Sequence, residues 1–254
     1  MKNLLLILLT LTFTISSSAQ YAVMSAVDLN EGGEKEYLAL EEFFSAINKE
    51  AVKQGLQTGQ YVYKRTPKEG DEANAPEYFI FNTYSSMEQM QQGINWQDLA
   101  LEVYKGKMSK RAIMRMLDNS RYNAEKERRS YVFKVVDATI RAGGAVKVGD
   151  KGTINLMNKK SDDFENYESE VWKPVAEKNI LLGNLRHWVL VEAIDRSENA
   201  YDGWTHMVWN LSAENPGEWN IPSGFKWDKL WEGIESSRDM ADATELTCVY
   251  STED

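Results

Sequence analysis

The chain has a single cysteine, Cys248, among 254 residues, so no disulfide can form within it. Only five prolines and two histidines are present. After the first residues there is no apolar run of ~18 residues, the length a membrane-spanning helix needs. There is also no Gly-rich phosphate loop, no Gly-x-Ser-x-Gly elbow, no His-Glu-x-x-His and no Cys/His metal spacing. Stability must therefore come from an apolar core. With 43% hydrophobic residues, 8 Trp, 12 Tyr and 8 Phe, the chain can build one. Cys248 sits in the apolar "LTCVY" and reads as a small buried residue.

The first residues are the exception to the missing apolar runs. Lys2 precedes the apolar stretch Leu4–Ile15, and Ser17 and Ala19 are small residues where a signal peptidase reads. This predicts a signal peptide over 1–19, cleaved near Ala19-Gln20. The mature protein is then expected to be exported and soluble, in the periplasm or outside the cell. No cysteine follows the run, which speaks against a lipid anchor.

The net charge of −10 is unevenly placed. Lys105–Arg141 holds eleven basic against four acidic residues, whereas Glu192–Asp254 holds four against fourteen. Overall acidity argues against nucleic acid as a partner. The two segments are complementary, so docking between them within one molecule, or simply a solvated helix face, is expected. No basic amphipathic helix of adequate length predicts membrane-surface binding, and no oligomer is required.

A repeat organises the chain. "GINWQDL" at Gly93–Leu99 returns as "GFKWDKL" at Gly224–Leu230. "SRYNAEKERRSYVF" (Ser120–Phe133) matches "SRDMADATELTCVY" (Ser237–Tyr250), and "EYFIFNTYSS" (Glu77–Ser86) resembles "THMVWNLSAE" (Thr205–Glu214). The order is the same in both halves, which indicates a duplication.

Periodicity places elements on this frame. "YAVMSAVDL", "GQYVYKR", "EYFIFNTY" and "RSYVFKVV" have strand composition. Tyr37, Leu40, Phe44, Ile47 and Ala51 mark a helical face ended by Gly55. Ser85 with Glu88 is a capping-box pattern for a second helical region, broken in places, to about Asn119. The second half repeats the order: "GTINLMN", a helix capped by Asp162 with Glu165, the hairpin "LRHWVLVEA" and "DGWTHMVWNL", the helix "KWDKLWEGI", and "ELTCVYS". Pro174 predicts a kink or a break at Lys173. Gly143-Gly144 reads as the link between units at 20–142 and 145–254.

The predicted fold is α+β: two tandem ferredoxin-like βαββαβ units whose antiparallel sheets pack face to face. This element pattern resembles the dimeric α+β barrel superfamily in a tandem form. That superfamily includes antibiotic-biosynthesis-type monooxygenases, chlorite dismutases and dye-decolourising peroxidases. The resemblance covers the mature chain and implies a cleft between sheets. It leaves the cofactor unknown, with haem implied by two branches, and no ligand position carries over to a residue here.

Candidate site residues follow from asymmetry between the halves. Trp96 is in the first, and the other seven tryptophans are in the second. His187 and His206 fall in one hairpin, and folding it about Arg196–Ser197 places them opposite each other. Such a pair could serve as an acid–base couple, or as two metal ligands with Glu192 and Asp202 nearby, although two are too few for a tight metal site. Alternation separates His187 from Trp188 and puts Trp204 with His206. Tyr61 and Tyr78 occupy the corresponding first-half hairpin, Tyr78 aligning with His206. The expected ligand-binding set is His187, His206, Trp204, Tyr61 and Tyr78, with no metal. The leading expectation is a small apolar or aromatic ligand between the two sheets. The alternatives are an oxygenase-like enzyme, cofactor-free or haem-dependent, and a non-catalytic interaction protein.

Overall fold

Strand β1 (Tyr21–Leu29) shows how this sheet is built. Ala22, Met24 and Ala26 join one buried cluster, whereas Val27 and Leu29 join another. Both faces are covered, so the strand reads as almost continuously apolar. The computed structural model describes residues 19–71, 75–118 and 124–254. The expected signal segment, apart from Ala19, lies outside them, as does the expected helix end at Asn119.

The remaining elements are α1 (Glu34–Lys53), β2 (Gly59–Arg65), β3 (Tyr78–Tyr84), α2 (Met87–Gln91), α3 (Trp96–Val103), α4 (Lys110–Asp118) and β4 (Glu125–Ala138). Then come β5 (Lys151–Lys159), α5 (Phe164–Asn166), a π-helical stretch Tyr167–Trp172, and α6 (Lys173–Leu181). Strands β6 (Leu185–Arg196) and β7 (His206–Ser212), helix α7 (Phe225–Ser237), and strands β8 (Arg238–Met240) and β9 (Thr244–Ser251) complete the described chain. Among the described residues no helix is long and apolar enough to cross a membrane.

The strands pair in the order β7-β6-β4-β1-β3-β2-β9-β5, and β5 pairs with β7 to close the ring. Every pairing is antiparallel, and β8 adds to β5 outside the ring. This corrects the predicted architecture: tandem ferredoxin-like units with two sheets stacked face to face do not form. Instead β4 bonds β6 and β2 bonds β9, so one closed eight-stranded barrel encloses a single interior. Closure satisfies edge N–H and C=O groups that two stacked open sheets would leave bare.

The helices lie outside the barrel. Tyr37, Leu40, Phe44, Ile47 and Ala51 of α1 are buried as their spacing predicts, and Gly55, with φ +71°, turns the chain after it. Two caps move. Ser86 rather than Ser85 caps α2, accepting from the Gln89 amide at 3.2 Å, while the Ser85 amide donates to Gln89 Oε1 at 2.7 Å. Starting the helix at Met87 puts Gln89, not Glu88, at the position that reaches back. Asp162 and Glu165 form no box, because α5 begins at Phe164 after Asp163, whose side chain makes no cap.

No break occurs at Pro174: the backbone stays helical from the π-helical stretch into α6 (Trp172 φ −81°, ψ −42°; Lys173 φ −53°, ψ −43°), and the change from π to α pitch falls there, with Pro174 in the first turn of α6. Gly143-Gly144 is a turn of positive φ (74° and 75°), and the Arg186 guanidinium donates to the carbonyls of Gly143 and Gly144 at 3.2 and 3.3 Å.

Candidate functional site

The barrel interior is occupied by side chains. Tyr63, Phe81 and Trp209 meet there, with ring centroids 4.7–6.0 Å apart. Tyr131 and Phe133 pack on Trp204 at 5.0 and 5.8 Å. The space between opposing strands is thus filled by the protein's own rings, and Cys248 is buried beside them, its thiol pushed up to about 12 chiefly by burial.

The five predicted residues are dispersed over this barrel. Glu192, not His187, lies opposite His206, and His187 lies opposite Leu211. His187 shares the parity of the interior residues Val189 and Val191, whereas His206 shares that of Val208, which packs outside beneath the helices. Trp204 precedes β7, where the strand's alternation does not hold, and enters the interior away from His206. Tyr78 faces outward in the first half, donating to Glu34 Oε1 at 2.7 Å. Burial, followed by that bond, raises its pKa.

His206 is almost fully buried, edge-on to Phe164 at 4.8 Å. Its Nδ1 meets Thr205 Oγ1 at 2.9 Å, and Nε2 stands 3.5 Å from Glu165 Oε1, too far for a good hydrogen bond. Burial lowers its pKa, opposed by Glu165 and Glu192. Nearby, Arg238 and Glu168 form a buried ion pair, and Arg238 Nη1 also reaches Met157 Sδ at 3.1 Å. The π-helical stretch carries Glu168 inward, a distortion often found at functional positions. Among the described residues no group of three or more His, Cys, Asp or Glu could hold a metal ion.

Tyr61 and His187 each lie near the Arg141–Glu253 pair, at one mouth of the barrel. The Tyr61 hydroxyl donates to Glu253 Oε1 at 2.7 Å, and Arg141 reaches the same carboxylate at 3.0 Å. His187 Nδ1 lies 3.2 Å from Thr139 Oγ1. Burial, then the Arg141 charge, lowers the His187 pKa to about 4 against the pull of Glu253. Burial opposes ionisation of Glu253, but the Val146 amide, Tyr61 and Arg141 outweigh it and hold its carboxyl below the usual range. Arg141–Glu253 also joins the basic and acidic segments whose docking the charge pattern predicts.

Two open clefts lie on the helices. One of about 210 Å³ is lined by Phe44, Trp96, Gln97, Met114, Leu117 and Asp118. The other, about 410 Å³, is lined by Ile221, Trp227, Asp228, Trp231 and Glu232. Trp96-Gln97 and Trp227-Asp228 hold the same two places in the repeated phrase. Each phrase begins with a Gly of positive φ (69° and 98°) that turns the chain toward a helix. Trp96 and Trp227 are both half-buried, Trp96 against Phe44 at 6.3 Å, whereas Leu99 is buried and Leu230 only half-buried.

Around the larger cleft the rings continue. Trp227 and Trp231, one turn apart on α7, lie 6.1 Å from each other. Trp231 meets Trp172 at 5.8 Å, and Trp172 stacks on Trp219 at 5.7 Å with 12° between planes. The i, i+4 pair in "KWDKLWEGI" was visible in the sequence. What the sequence does not show is that the pair is half-buried, with Trp231 against Trp172 and both rings bordering the cleft.

No family model matches this sequence, and no curated protein does. Solved structures do match. An anthrone oxidase-like protein superposes with a TM-score of 0.53 at 10% identity, covering 93% of this chain and 94% of that one. A Lactobacillus acidophilus NCFM protein provisionally named a monooxygenase gives 0.53 at 10%, covering 92% and 96%. One of the same provisional name from Fusobacterium nucleatum subsp. nucleatum ATCC 25586 gives 0.53 at 11%, covering 92% and 94%. The chain shares their fold. That agrees with the resemblance to the dimeric α+β barrel superfamily, and at such identity the likeness extends to architecture and not to activity.

Among the described residues, neither histidine is placed to ligate a haem. The Nε2 face of His206 is closed off by Phe164 and Glu165, and His187 is tied to Thr139 beside Arg141. Neither histidine lines either cleft.

Proposed function

We propose that this protein binds a small, flat apolar or aromatic molecule in the cleft of Trp227 and Trp231. The observation that carries the reading is the run of four tryptophans, Trp219, Trp172, Trp231 and Trp227, leading to an open cleft of about 410 Å³. That volume lies in the range of small-molecule sites. Each ring stacked against a ligand contributes about 0.5–1.5 kcal/mol beyond its burial. The filled barrel interior supports this location over one between strands.

The lining holds two tryptophans, an isoleucine and two carboxylates. It offers stacking surface and hydrogen-bond acceptors but no histidine, cysteine or tyrosine, which favours binding over oxygenation. The exported location rests on the Leu4–Ile15 run and the small residues Ser17 and Ala19.

Titration of tryptophan fluorescence with 2-naphthol tests the proposal. Saturable quenching is expected, lost in Trp231→Ala and weakened in Trp227→Ala. Quenching that persists unchanged in both variants contradicts it.

A further inference from the structure

We propose that the barrel mouth is a second binding site, for a small monocarboxylate, held closed by the chain's own Glu253. Separate segments converge there: Tyr61 on β2, Arg141 and Val146 between β4 and β5, His187 on β6, and Glu253 after β9. The Glu253 carboxylate takes four donors. Oε1 accepts from the Tyr61 hydroxyl at 2.7 Å and from Arg141 Nη2 at 3.0 Å. Oε2 accepts from the Val146 amide at 2.8 Å and stands 3.0 Å from Arg141 Nη1. A two-pronged guanidinium, a backbone N–H and a phenol together form a carboxylate receptor, matched in charge and in plane.

Glu253 is not needed to hold β9. That strand ends at Ser251, and Thr252 already bonds Gln60 at both its amide and its hydroxyl, 3.0 and 3.3 Å away. The receptor also lies within reach of solvent, since the Arg141 and Glu253 side chains are 33% and 23% exposed. The other charges at this mouth are engaged elsewhere. Asp150 pairs with Arg186 at 2.6 Å, and Asp254 Oδ2 faces the Val148 amide at 3.5 Å. With Glu253 swung away, Arg141 is left as the cation facing the vacated position, beside a His187 kept neutral by burial.

Displacement of Glu253 taxes any external ligand, because only the open fraction of molecules can bind it. The experiment is calorimetric titration of the full chain with benzoate. Glu253→Ala should bind benzoate at least about tenfold more tightly than the unaltered protein. Adding Arg141→Gln to that variant should abolish the gain, and neutral benzamide should show none. Equal benzoate affinity with and without Glu253, or an equal gain for benzamide when Glu253 is removed, overturns the proposal. Should Glu253→Ala fail to fold, Glu253→Ser also vacates the carboxylate position, and the same gain is required of it. Trp231→Ala should leave benzoate binding at the mouth unchanged, which separates this site from the tryptophan cleft.

Discussion

Across β6 and β7 the residue opposite His206 is Glu192, five positions along from His187. Because side chains alternate, a shift of an odd number of residues also moves a partner to the other face. His187 thus lies on the interior side and His206 beneath the helices, and the two titrate in separate surroundings.

His187 gives the clearest pH signature. Its folded pKa of about 4 lies below the ordinary value near 6.5, so the unfolded chain binds the proton more readily. Its contribution to stability is therefore complete above about pH 6.5 and is lost as pH falls toward 4. Urea unfolding from pH 7 to 4 should show the decline, and His187→Gln should remove on the order of 1–2 kcal/mol of it, allowing for solvent screening. Parallel pH curves for the two proteins count against the assignment.

Closure of the barrel rests on close approach at Gly152. A Cβ added there would come 2.6 Å from the Asn210 carbonyl oxygen and 2.7 Å from the Trp209 ring on β7. Asn210 belongs to the ladder pairing β5 with β7, so its backbone cannot yield cheaply. Gly152→Ala should lower unfolding stability by about 2–3 kcal/mol. A change below about 0.5 kcal/mol, the range of ordinary surface substitutions, would mean the two strands are less tightly joined.

The buried pair Glu168–Arg238 ties the π-helical stretch to the start of β8. Glu168→Gln leaves a buried guanidinium uncompensated and should cost about 3–5 kcal/mol in chemical denaturation. Replacing both residues, as Glu168→Leu with Arg238→Met, should recover most of that loss. If the double variant is no better than the single one, the pair does more than neutralise itself.

Much of the local structure is legible in the sequence. Strand content picks out β1 to β7 and β9, and the 3–4 spacing from Tyr37 to Ala51 picks out α1. How the sheet closes is not legible, since a strand buried on both faces has the same composition in a stacked pair as in a barrel. The histidine pairing failed for a related reason. Symmetry about Arg196–Ser197 assumed a tight turn, but β6 runs to Arg196 and β7 starts only at His206. The tryptophan cleft is only half legible: "KWDKLWEGI" shows the Trp227–Trp231 pair one helical turn apart, but their contacts with Trp172 and Trp219 come from distant segments. Arg141 and Glu253 meet only because the barrel closes, and their separation in the chain conceals the pairing.

The most direct test of ligand binding uses the indole N–H signals of the eight tryptophans in a ¹⁵N-labelled sample titrated with 2-naphthol. Signals assigned to Trp227 and Trp231 by substitution should shift and saturate, while those of Trp188 and Trp204, both buried, stay in place. Shifts at Trp204 with none at Trp227 or Trp231 would place the ligand inside the barrel and contradict the account.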